Sequence, residues 1–180
     1  ASKPRHSRLP SRGTCLSGPC LDHPSGPWNA ARLTETQLLP QNTMKVSELS
    51  NFARHYLIAA LWSSVDDDGE PMDSNYSLYD FAPEALQKAQ DDCDAFQEEA
   101  EELLSLAYES DHYVSMQSYP DCDGKIDSAA GHDFWLTRNS HGTGFWDRGD
   151  EPFWKELSKV AKRQGSCDVY VVDDGQLHFA

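Results

Sequence analysis

An apolar seam in the middle of the chain is the feature that most constrains the fold. Its members recur at alternating intervals of three and four residues: Leu86, Ala89, Cys93, Phe96, Ala100, Leu103 and Ala107. This spacing predicts an amphipathic helix, and Pro83 with Glu84 suits its first turn. Most side chains on its other faces are acidic, so the helix needs one apolar partner surface and presents charge elsewhere.

Two further helices are predicted from the same kind of pattern. The first covers about residues 47–62, and its apolar positions are Leu49, Phe52, Ala53, Tyr56, Leu57 and Ala60. The other begins near Pro152 and carries Phe153, Trp154, Leu157, Val160 and Ala161 on one face. Three bases precede Gly165 at its end, which suits the helix dipole and a glycine cap.

Two segments resemble β-hairpins. Residues 132–149 read HDFWLTRNSHGTGFWDRG, in which two aromatic runs, DFWLTR and TGFWDR, flank NSHG. Near the C-terminus, CDVYVV and QLHFA flank Asp174 and Gly175, a strong turn signal. The sequence therefore predicts an α+β domain, with an antiparallel sheet of about four strands in two hairpins packed with about three helices.

Charge divides the chain into two parts. The net charge of the whole chain is −15. Residues 1–43 contain five bases and two acids (5 − 2 = +3), and they are rich in Pro, Ser and Gly. Such a composition predicts a disordered tail. It is either a transit-like segment or an over-extended start ahead of Met44, and we favour the second. Residues 44–180 hold 10 bases and 28 acids (10 − 28 = −18) and form the predicted single domain.

Composition excludes several functional classes. A strong negative charge argues against direct binding of nucleic acid or anionic membranes, and no apolar run reaches the ~18 residues of a membrane span. Five cysteines without paired spacing indicate free thiols in a reducing cytoplasm, and no cofactor is expected.

The segment PDCDGKID resembles a calcium loop, but Tyr119 and Ala130 occupy two positions that need acidic ligands, which favours an ordinary turn.

An acidic run follows the first helix. Residues 66–111 contain 16 acids and one base, Lys88. The run is either a solvated surface or a surface that imitates the phosphates of nucleic acid and binds a basic partner. The candidate binding residues are Asp91, Asp92, Glu98, Glu99, Glu101 and Glu102.

The aromatic stretch at 132–149 allows three interpretations. A metal-dependent hydrolytic centre would use His132, Asp133, His141 and Asp147, with Asp111 and His112 as further members. A binding surface would use Trp135, Arg138, Trp146 and Arg148. In the third, the aromatics fill the core while Asp133 and Asp147 pair with Arg138 or Arg148. Neighbours on a strand point to opposite faces, so His132 and Asp133 are not expected to converge. No nucleophile elbow or phosphate loop is present, and no catalytic residue is assigned.

The segments AAGHDFWLTRNSHGTGFWDRG, CDVYVVDDGQLHF, ALWSS and DSNYS resemble those of a family of small, uncharacterised acidic proteins encoded by bacteriophages and mobile elements. The resemblance covers about residues 44–180, and Ser140 replaces the glycine that is typical of the RNGHG turn. The family brings no established activity. Phage origin together with the acidic run at 66–111 favours an accessory protein in the host cytoplasm that binds a host or phage protein with a basic surface, as a nucleic-acid mimic or inhibitor. A metal-dependent hydrolase and a structural or assembly protein are the alternatives.

Overall fold

The structure, a computed structural model, describes residues 43–116 and 125–180. Six α-helices and one two-stranded sheet make up these two segments. Their bounds are α1 Asn51–Ser63, α2 Pro83–Glu99, α3 Glu101–Tyr108, α4 Asp111–Met116, α5 Ile126–Arg138, α6 Pro152–Arg163, β1 Val169–Val171 and β2 Leu177–Phe179. Nearly all of the predicted tail and most of the calcium-like loop lie outside the described residues.

The prediction of an α+β fold with about four strands is wrong, because the described chain is mainly helical with one small sheet. The segment predicted as the first hairpin forms the second half of α5 and the loop that follows it. Ten residues of α5 are buried, so the helix lacks the polar face from which a period of 3.6 is recognised. Its aromatic and β-branched run, DFWLTR, also has the composition of a strand.

The residues NSHG end α5 instead of turning a hairpin. The N–H of Ser140 donates to the carbonyl of Thr137 at 3.2 Å, and the N–H of His141 donates to that of Leu136 at 2.9 Å. Ser140 has a φ of 59°, so the pair of bonds forms a left-handed helix cap. Left-handed caps and tight hairpin turns use similar residue types, which explains the wrong assignment.

Helices α1 and α5 pack closely at the centre of the fold. A Cβ at Gly131 would overlap the carbonyl oxygen of Phe52 and lie 3.2 Å from the backbone nitrogen of Tyr56, so the crossing requires glycine. The ring of Phe134 stacks on that of Phe96, with centroids 4.1 Å apart, and joins α5 to α2. Full burial of a ring of this size stabilises the fold by ~2 kcal/mol.

The apolar seam is confirmed as a buried surface. Every member except Leu103 is buried, and Leu103 is partly buried against the same core. The seam lies on two helices instead of one, because the backbone leaves the helical conformation at Ala100, whose ψ is 11°. The acidic side chains therefore occupy the outer surfaces of α2 and α3.

The other predicted elements are found with small shifts at their ends. Helix α1 begins at Asn51, because the side chain of Ser50 accepts a hydrogen bond from the N–H of Ala53 and caps the helix. Helix α6 is confirmed from Pro152 to Arg163. The second hairpin is also confirmed: β1 and β2 are antiparallel, with Gly175 at a φ of 83° in the turn. The N–H of Ala82 donates to the carbonyl of Leu177 at 3.1 Å and attaches this hairpin to the start of α2.

Candidate functional site

A cavity of about 230 Å³ opens between α1, α4, α5 and the loop after α5. Its apolar lining is Trp62, Met116, Ala129 and Leu136. Its polar lining is His112, Tyr113, His132, Asp133, Thr143 and Arg148. The four residues from α5 are spaced i, i+3, i+4 and i+7, which places them on one face of the helix. The cavity thus combines apolar walls with a few convergent polar groups, the usual composition of a ligand site.

An ion pair lies in the polar part of the cavity. The Nε of Arg148 donates to Oδ2 of Asp133 at 2.8 Å, and its Nη2 donates to Oδ1. The hydroxyl of Tyr113 also donates to Oδ2, at 2.7 Å. Burial disfavours the cationic form of Arg148, but the hydrogen bonds and charge of Asp133 outweigh that effect and raise the pKa of Arg148. Burial, with the charge of Asp133, raises the pKa of Tyr113, so its hydroxyl stays protonated and able to donate.

The loop that carries Arg148 is held against α5 by a hydrogen bond and a glycine. The N–H of Phe145 donates to Oγ1 of Thr137 at 2.9 Å. A Cβ at Gly144 would overlap that oxygen, and the φ of Gly144 is 153°, which L residues rarely adopt. The glycines in HGTGFW therefore include one that permits close contact between loop and helix. Arg148 then follows a short 3-10 turn, Phe145–Asp147.

His112 lies at the edge of the ion pair. Its Nε2 atom is buried and makes no hydrogen bond with the described residues. Burial lowers the pKa of His112, and the nearby charge of Arg148 lowers it further, while Asp133 and Asp147 oppose this shift. The imidazole is therefore neutral at pH 7. The ring of His132 lies 5.8 Å from that of the buried His55.

The four candidate residues of a hydrolytic centre occupy two places. His132 and Asp133 line the cavity, whereas the described lining includes neither His141 nor Asp147. His141 takes part in the cap of α5, and Asp147 is exposed and accepts from the hydroxyl of Thr143 at 3.2 Å. Within residues 43–116 and 125–180, no group of three or more His, Cys, Asp or Glu side chains is placed to hold a metal ion.

The candidate residues of an aromatic binding surface also separate. Trp135 is buried, and its indole N–H donates to the hydroxyl of Ser63 at 2.8 Å. Arg138 is buried as well, and Trp146 is exposed. The predicted pairing of Asp133 with an arginine of the stretch is confirmed for Arg148, although a helix and a loop supply the two residues instead of two strands.

Arg138 joins four parts of the fold. Its Nη1 donates to the hydroxyl of Tyr56 and to Oδ2 of Asp92, both at 2.8 Å. Its Nε and Nη2 donate to the carbonyls of Gly165 and Gln164. The guanidinium therefore links α1, α2, α5 and the end of α6, and its role is structural.

The acidic candidates divide into paired and unpaired residues. Asp92 contacts Arg138 and Lys88, and Glu99 contacts Arg163 at 2.6 Å. Asp91, Glu98, Glu101 and Glu102 are exposed and form no ion pair with the described residues. Asp94, which is not among the predicted binding residues, is exposed on the same side of α2 as Asp91 and Glu98.

Six cavity residues were not recognised from the sequence: Trp62, Tyr113, Met116, Ala129, Leu136 and Thr143. They lie on α1, α4, α5 and the loop after α5, so no single local spacing connects them. From α5, only His132 and Asp133 were named as candidates, because the stretch was assigned to a strand and its helical spacing was not recognised.

In the part of the chain that the structure describes, no helix is both long enough and apolar enough to cross a membrane. Asp127, the one acidic residue of the calcium-like loop that is described, accepts a hydrogen bond from the side chain of Asn51 at 2.9 Å.

Comparison of the chain with protein-family models, with curated proteins and with solved structures finds no match.

Proposed function

We propose that this protein binds a basic surface of another protein through an acidic face on α2 and α3. The acidic face consists of Asp91, Asp94, Glu98, Glu101 and Glu102, all of which are exposed. The observation that carries the proposal is that these five carboxylates have no cationic partner among the described residues. Nearby cations are already engaged, because Lys88 pairs with Asp92 and Arg163 with Glu99.

The acidic face has a regular geometry. Asp91, Asp94 and Glu98 are three and four residues apart on α2, so each step rises ~5 Å along the helix axis. Glu101 and Glu102 continue the charge onto the first turn of α3. A row of anions at short intervals resembles a phosphate backbone in charge and spacing, so the partner class is a protein whose basic cleft holds nucleic acid.

The resemblance to phage-encoded proteins supports a host factor as the partner and the host cytoplasm as the place of action. Small accessory proteins of this kind commonly act by occupying a host protein. The hydrolase and assembly functions stay predictions.

The test compares two variants with the same net charge. The first removes four charges from the acidic face: Asp91→Asn, Asp94→Asn, Glu98→Gln and Glu102→Gln. The control removes four exposed charges elsewhere: Asp67→Asn, Asp68→Asn, Asp73→Asn and Asp173→Asn. Each immobilised protein is exposed to host extract, and retained proteins are eluted with duplex DNA or with salt.

We expect the unmodified protein and the control to retain a basic protein that DNA and salt release, and we expect the first variant to lose most of it. Equal retention by the two variants would show that only net charge matters and would contradict the acidic face as a site. Retention of no protein, or elution by salt but not by DNA, would contradict the nucleic-acid-mimic class.

A further inference from the structure

We infer that the cavity between α1, α4 and α5 binds a small apolar molecule with a carboxamide-like head group, in which a carbonyl acceptor and an N–H donor lie side by side. This site is separate from the acidic face and does not depend on the proposed function. Its ligand is recognised by an apolar wall, by a guanidinium with spare donors and by a buried imidazole nitrogen.

The apolar part of the cavity sets the size of the ligand. Its volume of about 230 Å³ corresponds to roughly eight water molecules at ~30 Å³ each. A single ring with one substituent fits such a space. Met116, Ala129 and Leu136 provide aliphatic and thioether contacts, and the half-exposed indole of Trp62 lies at the rim, where it can cover one face of a ring.

Arg148 offers hydrogen-bond donors to an acceptor on the ligand. Two of its nitrogens donate to Asp133, but its Nη1 donates to no acceptor among the described residues. Both oxygens of Asp133 already accept hydrogen bonds, from Arg148 and Tyr113. A cationic ligand would therefore meet an engaged carboxylate beside a guanidinium, whereas a carbonyl oxygen would meet free donors.

His112 provides the second hydrogen-bond partner for the head group. Its buried Nε2 makes no hydrogen bond with the described residues, and an unsatisfied buried polar atom is costly. The nitrogen of a neutral imidazole either donates or accepts, according to the tautomer. A carboxamide offers both a donor and an acceptor, so it satisfies either tautomer while its carbonyl oxygen contacts Arg148.

The balance of charge favours an uncharged head group over a carboxylate. The charges of Asp133 and Arg148 cancel within the cavity, and His112 is neutral because burial lowers its pKa. The surrounding chain carries a net charge of −15 and repels anions. A carboxylate would lose its hydration without meeting a net positive charge.

The experiment uses the full chain and three probes with the same ring: benzamide, benzoate and benzylammonium. Binding is followed by ¹H–¹⁵N NMR of the indole and backbone signals and by calorimetry. Two matched pairs of variants locate the site. His112→Phe is compared with His141→Phe, and Trp62→Ala is compared with Trp146→Ala, since these two indoles are 45% and 46% exposed.

We expect benzamide to bind with a dissociation constant on the order of 1 mM and to shift the signals of Trp62. Benzoate and benzylammonium are expected to bind at least ~5-fold more weakly. His112→Phe and Trp62→Ala should each weaken benzamide binding roughly 5-fold, and the two control variants should leave it unchanged.

Three outcomes would overturn the inference. One is the absence of saturable benzamide binding up to about 20 mM. Another is tighter binding of benzoate or benzylammonium, which would assign the site to a charged head group. The last is equal loss of affinity in a cavity variant and its control, which would place the probe elsewhere.

Discussion

Two arginine–aspartate pairs in this molecule have opposite arrangements. In the pair of Arg138 and Asp92, the arginine side chain is 4% exposed and the carboxylate 23% exposed. In the pair of Arg148 and Asp133, the carboxylate is 1% exposed and the arginine 19% exposed. Both arginines come from the same short stretch, one at the end of α5 and the other ten residues later.

The difference separates a structural pair from one that is available to a ligand. Each nitrogen of the Arg138 guanidinium donates to the protein, four of its five N–H groups are engaged, and the side chain is only 4% exposed, so it offers little to another molecule. Arg148 has an Nη1 without an acceptor among the described residues, at the wall of a cavity. Buried ion pairs add little stability compared with well-packed apolar residues. The N–H groups that a pair leaves without an acceptor therefore say more about its function than its burial does.

The largest effect is expected for Arg148→Met. This change leaves the carboxylate of Asp133 buried without its cation, and removing one partner of a buried pair costs about 3–5 kcal/mol of unfolding free energy. Urea denaturation at pH 7.5 measures the loss. Combining the change with Asp133→Asn removes the stranded charge and should recover about half of it. If the double variant were no more stable than the single one, the stranded charge would not be the cause.

Arg138→Met is expected to cost less, about 3 kcal/mol, although Arg138 makes more hydrogen bonds. The carboxylate of Asp92 is partly solvated and keeps its contact with Lys88, so no charge is stranded. The loss comes from the hydroxyl of Tyr56 and the carbonyls of Gln164 and Gly165, which lose their donor. Benzamide binding should be unchanged in this variant. A greater loss than in Arg148→Met would reverse the proposed order of the two pairs.

Gly131→Ala tests the helix that carries one member of each pair. A methyl group there would overlap the carbonyl oxygen of Phe52, which is part of the backbone of α1 and cannot rotate away. Overpacking should outweigh the better helix propensity of alanine and reduce the unfolding free energy by about 2 kcal/mol. Gly142→Ala is the control, since a Cβ there meets no atom within 4 Å. Equal thermal stability of the two variants would contradict the close crossing.

The sequence revealed helices that have a polar side. The seam of α2 and α3 and the apolar face of α6 stand out because acidic or basic residues separate their apolar positions. Helix α5 has no such contrast, since it is surrounded by α1, α4 and α6. Its burial depends on contacts that are distant in sequence, so local periodicity could not identify it.

The cavity was predictable only in part for the same reason. His132 and Asp133 were expected to point apart because they were assigned to a strand; on a helix, neighbours differ by ~100° and can line one cavity. The partners of Asp133 are Tyr113 and Arg148, which come from separate elements, 20 and 15 residues away in sequence. Polar residues of the cavity could thus be named from the sequence, but the sequence did not show that their side chains meet at one cavity.

The pH dependence of stability should reflect His112. Burial and Arg148 lower its pKa from the ordinary value of 6.5, while Asp133, Asp147 and His132 also lie near it. Below pH 6.5 the unfolded chain takes up a proton that the folded protein does not, so the unfolding free energy falls as the pH falls. His112→Phe should reduce this slope between pH 6.5 and 5, and His141→Phe should retain it. Identical slopes in denaturation curves would exclude His112 as the source.

Ser140→Gly should give the smallest effect and the only gain in stability. Ser140 holds the left-handed position of the α5 cap, between the arginine of the structural pair and the loop that carries Arg148. Glycine adopts this conformation without the strain of a Cβ, so we expect a gain of about 0.5–1 kcal/mol in urea denaturation. Ser140→Ala retains the strain and should show no gain. Because the cap bonds of Thr137 and Leu136 are unchanged, benzamide binding should also stay constant. A gain in stability accompanied by altered binding would show that the cap adjusts the position of Arg148 and that the two pairs are coupled through it.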